Sequence, residues 1–326
     1  MSTDPLLEIK DLQVGFRVYG GLLKVLDGVD FVVHSGEKVG LVGETGCGKT
    51  TTMKSILRIL PMPPGEIAAG EVWFRGMDIL RMGQNQLREV RGKGVSMIFQ
   101  DPTAALNPVF TVGQQLGAVI KHSASNGRRG RSDVSSRSLA ALQEVALADP
   151  ERLLKSYPVQ LSGGMRQRVC IAMALATEPE LLIADEPGTS LDVTIQDQVL
   201  RLLHNLAIEK NTSIVLITHT LGVVRELTDR VYVMYAGTMV ESAPTKMLFE
   251  NPHFPYTRGL MQSVPRLSGG GVAEGIPGRI PNYLDPPPGC RFHPRCPHVM
   301  DICRQEKPPA YTVGEGHQVT CFLYRG

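Results

Sequence analysis

The chain has 326 residues, 42% of them hydrophobic and 20% charged, with a formal net charge of +2; this is an ordinary folded protein with room for one large domain or two smaller ones. So small a net charge gives no bulk electrostatic reason to bind nucleic acid, and no run approaches the ~20 apolar residues that span a bilayer. The N-terminus carries Asp4, Glu8 and Asp11 and has no apolar stretch, so it does not read as a secretory signal; a cytoplasmic chain that reaches a membrane only through partners is expected.

In chain order, LLEIKDLQVGF and KVLDGVDFVV read as two strands with a Gly-containing break. EKVGLVG is a short buried strand ending at Gly43, and TTMKSILRIL follows with helical spacing. GEVWFRGMDI suggests a strand pair and GVSMIFQ another buried strand. Between about 101 and 160 the texture turns helical, with FTVGQQLGAVIKH and SSRSLAALQEVALA as helices and the polar, basic SASNGRRGRSD as a surface loop. Then αβ alternation returns: QRVCIAMALATEP a helix, ELLIADEP a strand, IQDQVLRLLHNLAIEKN a helix and SIVLITH a strand. RVYVMYAGTMVESA suggests a closing hairpin. Beyond 250 the chain is rich in Pro and Gly and reads as a separate appendage with little regular structure and no core of its own.

Three segments carry chemistry. Gly43-Glu44-Thr45-Gly46-Cys47-Gly48-Lys49-Thr50 fits the phosphate-loop pattern between a strand and a helix. Its glycines let successive N–H groups turn toward phosphate oxygens, and the helix N-terminus favours the same anion. Lys49 is expected at the β and γ phosphates of ATP, the Thr50 hydroxyl on Mg²⁺, and Thr51 at the α phosphate. Cys47 inside the loop reads either as a reactive thiol beside Lys49 or as a small residue filling space. Next, the apolar run Leu181-Leu182-Ile183-Ala184 ends in Asp185 and Glu186; Asp185 suits the Mg²⁺ site and Glu186 a general base for the attacking water. Finally, Leu161-Ser162-Gly163-Gly164-Met165-Arg166-Gln167-Arg168 opens a helix with a Ser and two Gly, a backbone able to bind an anion.

Together these segments resemble ABC transporter ATPases, with Met165 where the signature usually has Gln. The resemblance implies a P-loop NTPase cassette of α/β class: a core sheet, an antiparallel β subdomain and a helical subdomain near 101–170. It implies two ATP molecules sandwiched in a head-to-tail dimer, the signature of each subunit facing the opposite ATP. Gln100 matches the Q-loop glutamine that touches Mg²⁺, Ser190-Leu191-Asp192 the D-loop, and His219 the switch histidine at the γ phosphate, followed by Thr220 where the family often has Asp. Phe16 matches the aromatic that stacks on adenine, with Tyr19 as the alternative.

The late segments NPHFPYTRGLMQSVPRL, IPGRIPNYLDPPPGCRFHPRCPHVMDIC and GHQVTC resemble the C-terminal extension of oligopeptide and dipeptide importer ATPases. The expected domains are therefore 1–250 for ATP binding and 251–326 for the extension. Cys290, Cys296, Cys303 and Cys321 crowd into the last 37 residues. The resemblance implies a [4Fe–4S] cluster on these four thiolates; zinc is the rival because Cys₄ suits both, though the C-x₂-C pairs of zinc ribbons are absent. His293, His298 and His317 are expected around such a group or at the surface, not as ligands. The function implied is ATP-driven uptake of di- and oligopeptides at the cytoplasmic face of the membrane. Two permease subunits, a second ATPase (self or paralogue) and an extracytoplasmic solute-binding protein would be partners. Nickel, glutathione or oligosaccharide cargo stays open. An ABC ATPase acting on nucleic acid or ribosomes is disfavoured by the single cassette and the lack of a heptad run.

Overall fold

The computed structural model describes residues 4–123, 131–189, 191–263 and 275–326. Its contacts divide the chain into two units: Met1–His34, Lys38–Leu80 and Thr218–Gly326 form the first, and Ser35–Glu37 with Arg81–Ile217 the second.

The first unit contains two groups of strands. β1 (Leu7–Val18) pairs antiparallel with β2 (Gly21–Val33) and with β4 (Gly65–Phe74), and β4 pairs with β5 (Met77–Asp78). Leu7 and Ile9 face the core, yet so do Leu12 and Val14, which have the opposite parity. A bulge reconciles them: Ile9 opposes Phe31 and Leu12 opposes Val29, so β1 holds one extra residue there and Asp11 takes φ 44°.

The other group runs β11 (Tyr311–Gly314), β12 (His317–Val319), β10 (Thr238–Pro244), β9 (Arg230–Tyr235) and β3 (Lys38–Val42). β9 and β3 are parallel and the other pairs antiparallel. The helices of this unit are α1 (Lys49–Ile56), α9 (Leu221–Leu227), α10 (Thr245–Glu250) and α11 (Pro255–Gln262).

The second unit has three parallel strands, with β7 (Leu181–Asp185) between β6 (Val95–Ile98) and β8 (Ser213–Ile217). Every residue of β7 is buried, which explains its unbroken apolar run: a central parallel strand is covered on both faces. Helices α2 (Gln84–Glu89), α3 (Pro102–Ala105), α4 (Val112–His122), α5 (Arg131–Glu144), α6 (Pro150–Lys155), α7 (Gly163–Leu175) and α8 (Val193–Glu209) complete it. Thr111 and Gln114 cap α4 reciprocally, and its Val112, Leu116 and Ile120 point inward.

Two expectations need correction here. The basic loop was expected to reach Asp133, but α5 already begins at Arg131; residues 124–130 lie outside the described residues. More importantly, the extension is no separate appendage. β12 adds to β10, with Glu241 opposite Val319 and Ser242 opposite Gln318. Phe254, Tyr256, Phe292, Val319 and Cys321 share one buried cluster with Val42, Val233 and Tyr235. The Tyr235 ring lies 4.8 Å from Tyr256 and 5.0 Å from Phe292. A few large aromatic residues supply the burial that the Pro- and Gly-rich composition concealed. Among the described residues no helix is long and apolar enough to cross a membrane.

Candidate nucleotide site and cysteine pocket

In the first unit, β3 delivers the chain to Gly43 and α1 leaves at Lys49. Gly43 has φ 151°, and a Cβ there would stand 2.1 Å from the Met234 carbonyl oxygen; Gly48 caps α1 at φ 112°. Only glycine fits both demands. Lys49 is buried and its ammonium donates to the carbonyls of Gly43 at 2.7 Å and Glu44 at 3.1 Å. The lysine is thus folded over its own loop. The Cys47 amide donates to Glu44 O and the Gly237 amide to Cys47 O. Thr45 and Gly46 are exposed, and Thr50 and Thr51 are half-buried on the first turn of α1. Cys47 is fully buried, and burial pushes its thiol up against the opposing pull of Lys49. Burial of this kind suits the space-filling reading of Cys47 better than the reactive-thiolate one.

Phe16 is half-buried on β1, opposite Gly65 and Leu23, while Tyr19 is fully exposed beyond the strand end. His219 is exposed just after β8.

In the second unit, β7 ends with Asp185 buried, followed by Glu186 at φ 46°. The Glu186 amide donates to Ile217 O at 2.9 Å. Its carboxylate accepts from Gln100 Nε2 at 3.0 Å and from the Thr189 hydroxyl at 3.1 Å. The structure thus brings Gln100 and Glu186 together from positions 86 residues apart. An oxygen donor such as Asp185 suits a hard cation such as Mg²⁺.

The signature segment also behaves as its residue types suggest. Ser162 is the N-cap of α7 and its hydroxyl accepts from the Met165 amide at 3.3 Å. Leu161 is buried, whereas Ser162 and Gly163 are exposed and Gly164 and Met165 half-buried. No acidic residue occupies the first turn of α7, so its amide end is open to an anion. Asp192 caps α8 through the Ile195 amide, and the Leu191 amide donates to Gly188 O; Ser190 lies outside the described residues.

In the extension, Cys290, Cys296, Cys303 and Cys321 all line one small apolar pocket with Phe254, Phe292 and Phe322, holding ≈ 10 Å³ of free space. Burial pushes the Cys290 thiol up to about 12, with a smaller rise from the neighbouring thiols. Four soft sulfur donors facing one cavity fit a thiolate-held metal group in kind. No three of the described His, Cys, Asp or Glu residues stand close enough to hold a single metal ion. His293 and His298 line the same pocket. His317 departs from expectation: it is buried away from the pocket, and its Nε2 lies 2.8 Å from Glu241 Oε1.

Sequence reasoning assigned no role to three residues of the extension that touch the phosphate-loop segment. Arg295 forks onto the Glu44 carboxylate at 3.0 and 3.2 Å, the Glu44 amide donates to the Tyr256 hydroxyl at 2.8 Å, and the Tyr283 hydroxyl donates to Gly46 O at 2.8 Å. The only sequence signal was their place inside the quoted family-like segments.

Comparisons with known proteins agree with this anatomy. The family described as ABC transporter matches residues 26–189, and the oligopeptide/dipeptide transporter C-terminal region matches residues 240–303. The chain is 47% identical over 323 residues to a probable peptide ABC transporter ATP-binding protein of Sinorhizobium fredii, covering 98% of this chain and 96% of that one. It is 45% identical over 322 residues to a dipeptide transport ATP-binding protein of Bacillus subtilis, covering 98% and 95%. Among solved structures it is similar to a dimeric ATP-binding cassette in a post-hydrolysis state with ADP and Pi, at TM-score 0.65 and 25% identity, covering 73% of this chain and 98% of that one. The chain belongs to the ATP-binding proteins of ABC transporters, in the branch that carries the oligopeptide/dipeptide transporter C-terminal region.

Proposed function

We propose that this subunit hydrolyses ATP to drive uptake of di- and oligopeptides, at the cytoplasmic face of the membrane and through two permease subunits. The observation that carries the chemistry is the carboxylate of Glu186, held by Gln100 and Thr189 directly after the buried Asp185. The likeness of the whole chain, extension included, to peptide-transport ATPases supports the cargo.

In this reading residues 1–250 form the ATP-binding domain and 251–326 the extension. Lys49 leaves the carbonyls of Gly43 and Glu44 for the β and γ phosphates, and Thr51 reaches the α phosphate. Phe16 stacks on adenine. Thr50, Gln100 and Asp185 would hold Mg²⁺, which when bound would neutralise charge on the phosphate oxygens. Glu186 accepts a proton as water oxygen bonds to the γ phosphorus and the bond to the β–γ bridging oxygen breaks, giving ADP and phosphate. His219 contacts the γ phosphate. Leu161 to Met165 face the ATP of a second ATPase subunit, with Ser190, Leu191 and Asp192 at that interface. An extracytoplasmic solute-binding protein supplies the peptide.

Cys290, Cys296, Cys303 and Cys321 would hold a [4Fe–4S] cluster with a structural role. What supports a thiolate-held group is that all four cysteines line one pocket; zinc remains the rival, since Cys₄ suits both.

The test is ATP-dependent peptide uptake by the transporter reconstituted in vesicles. Lys49→Ala is expected to lose nucleotide binding and uptake together, because it removes the cation that faces the phosphates. Unchanged ATP affinity and turnover in that variant would overturn the loop assignment. Uptake of nickel, glutathione or oligosaccharide but not peptide would keep the ATPase and reassign the cargo.

A further inference from the structure

Inside the phosphate-binding loop, Lys49 and the Cys47 amide tie down the carbonyls of Gly43 and Glu44, while the tip at Thr45 and Gly46 lies open. Gly46 has φ 84° with open space around its α carbon, and it is exposed together with Thr45. Such a segment samples many backbone conformations unless something outside it restrains it. A phosphate cradle depends on N–H groups that already point the right way before the anion arrives.

Further restraints come from the extension. Tyr256, at the start of α11, takes the Glu44 amide hydrogen bond at 2.8 Å. Tyr283 holds the carbonyl of Gly46 at 2.8 Å. Arg295 grips both oxygens of the Glu44 carboxylate, with its side chain 5% exposed. Its own position is fixed by hydrogen bonds to the carbonyls of Ile276 and Pro277 and to the Tyr235 hydroxyl. Arg291 donates to the carbonyls of Lys24 and Ala236, and the next amide, Gly237, holds Cys47 O at 2.7 Å. Arg295 sits on the turn between Cys290 and Cys296, whose backbone closes through His293 to Cys290 and Cys296 to His293.

The charge logic points the same way. Glu44 places a carboxylate inside a loop meant for a polyphosphate. A bidentate guanidinium neutralises it and turns it away. Without Arg295 that carboxylate would repel the nucleotide it flanks.

We infer that Tyr283, Tyr256 and Arg295 of the C-terminal extension are positioning residues for the phosphate-binding loop, so that the extension forms part of the nucleotide site. This rests on the reading of residues 43–50 as that loop. The cysteine-framed turn is thereby mechanically joined to ATP binding through Arg295.

The test is equilibrium binding of MgATP to the purified full-length chain, with steady-state hydrolysis in the complete transporter. Wild-type protein that binds MgATP, and Lys49→Ala protein that does not, establish the loop itself. Tyr283→Phe removes one hydroxyl and is expected to weaken MgATP about 3- to 5-fold, the worth of one hydrogen bond. Arg295→Ala is expected to weaken it about 10-fold or more, the scale of a charge-assisted pair, with KM raised and kcat at saturating ATP kept. Adding Glu44→Gln to Arg295→Ala should recover part of the loss, because the unpaired carboxylate is gone. A merely structural role would lower Tm in both variants without this KM–kcat split or rescue. Wild-type affinity in folded Tyr283→Phe and Arg295→Ala proteins, with Lys49→Ala still inactive, overturns the inference and spares the loop. If Arg295→Ala does not fold, Tyr283→Phe decides alone.

Discussion

Glu186 and Glu241 are two carboxylates whose surroundings give them opposite uses. Glu186 sits at a strand end with φ 46°, aimed by Gln100 and Thr189; in the proposed mechanism it is the group that receives the proton. Replacing it by Gln keeps the shape and removes the base. Glu186→Gln is expected to lower hydrolysis about 10²- to 10⁴-fold while ATP stays bound and the ATPase dimer stays closed. Retained nucleotide on gel filtration and turnover measured with both sites changed check this, and wild-type turnover would remove Glu186 from the mechanism. Glu241, by contrast, is buried and fully engaged: it accepts from the amides of His253 and Phe254 at 2.7 and 2.9 Å and faces His317 at 2.8 Å. It ties β10 to the start of α11 and to β12. Glu241→Ala is expected to cost about 3–5 kcal/mol in urea unfolding, the penalty for breaking a buried pair on one side. A change under about 1 kcal/mol would show that the pair is dispensable.

At the scale of elements, the loop between β3 and α1 and the strand β7 announced themselves, because their chemistry is local in sequence: glycines beside a lysine, or an apolar run ending in acids. The extension did not. Its composition suggested a segment unable to fold by burial, yet β12 completes a ladder on β10 and Phe292 packs among Tyr235, Phe254 and Tyr256. A metal group is therefore not required to explain its order, and iron content is an independent question. Anaerobically purified protein is expected to contain about four irons per chain, the count a [4Fe–4S] cluster demands. One zinc and no iron would replace the cluster with a zinc site. Neither metal, with four reactive thiols in folded protein, would remove both. Because the aromatic cluster remains, a Cys303→Ser variant is expected to keep the extension packed at lower Tm, not to unfold the whole chain.

For the whole molecule, family membership brings partners that a single chain does not display. The segment Asp101 to Asn107 follows Gln100 and enters the helical region: Asp101 caps α3, and the Asn107 carbonyl takes Gln115 Nε2. Val109 and Phe110, just beyond, are exposed. We expect crosslinks from 101–107 to a cytoplasmic loop of the permease in the intact, active transporter. Crosslinks that map elsewhere would move the docking groove. The exposed Ser162 end of α7 is the matching expectation for the opposite subunit's nucleotide.

The sequence by itself determined the class and singled out the candidate residues of the ATP motifs, since each motif is a short run whose spacing is dictated by one strand end or one helix start. It also placed the four cysteines in one region. Only the tertiary structure decided where the tail's hydrogen bonds go. Arg295 and Glu44 are 251 residues apart, and Tyr283 and Gly46 are 237 apart; no periodicity or propensity encodes such a pairing. His317 illustrates the same limit. From sequence it was one more histidine near a cysteine cluster, and its burial against Glu241 followed only once β12 had joined β10, because strand register is fixed by what both partners bury and not by either strand alone.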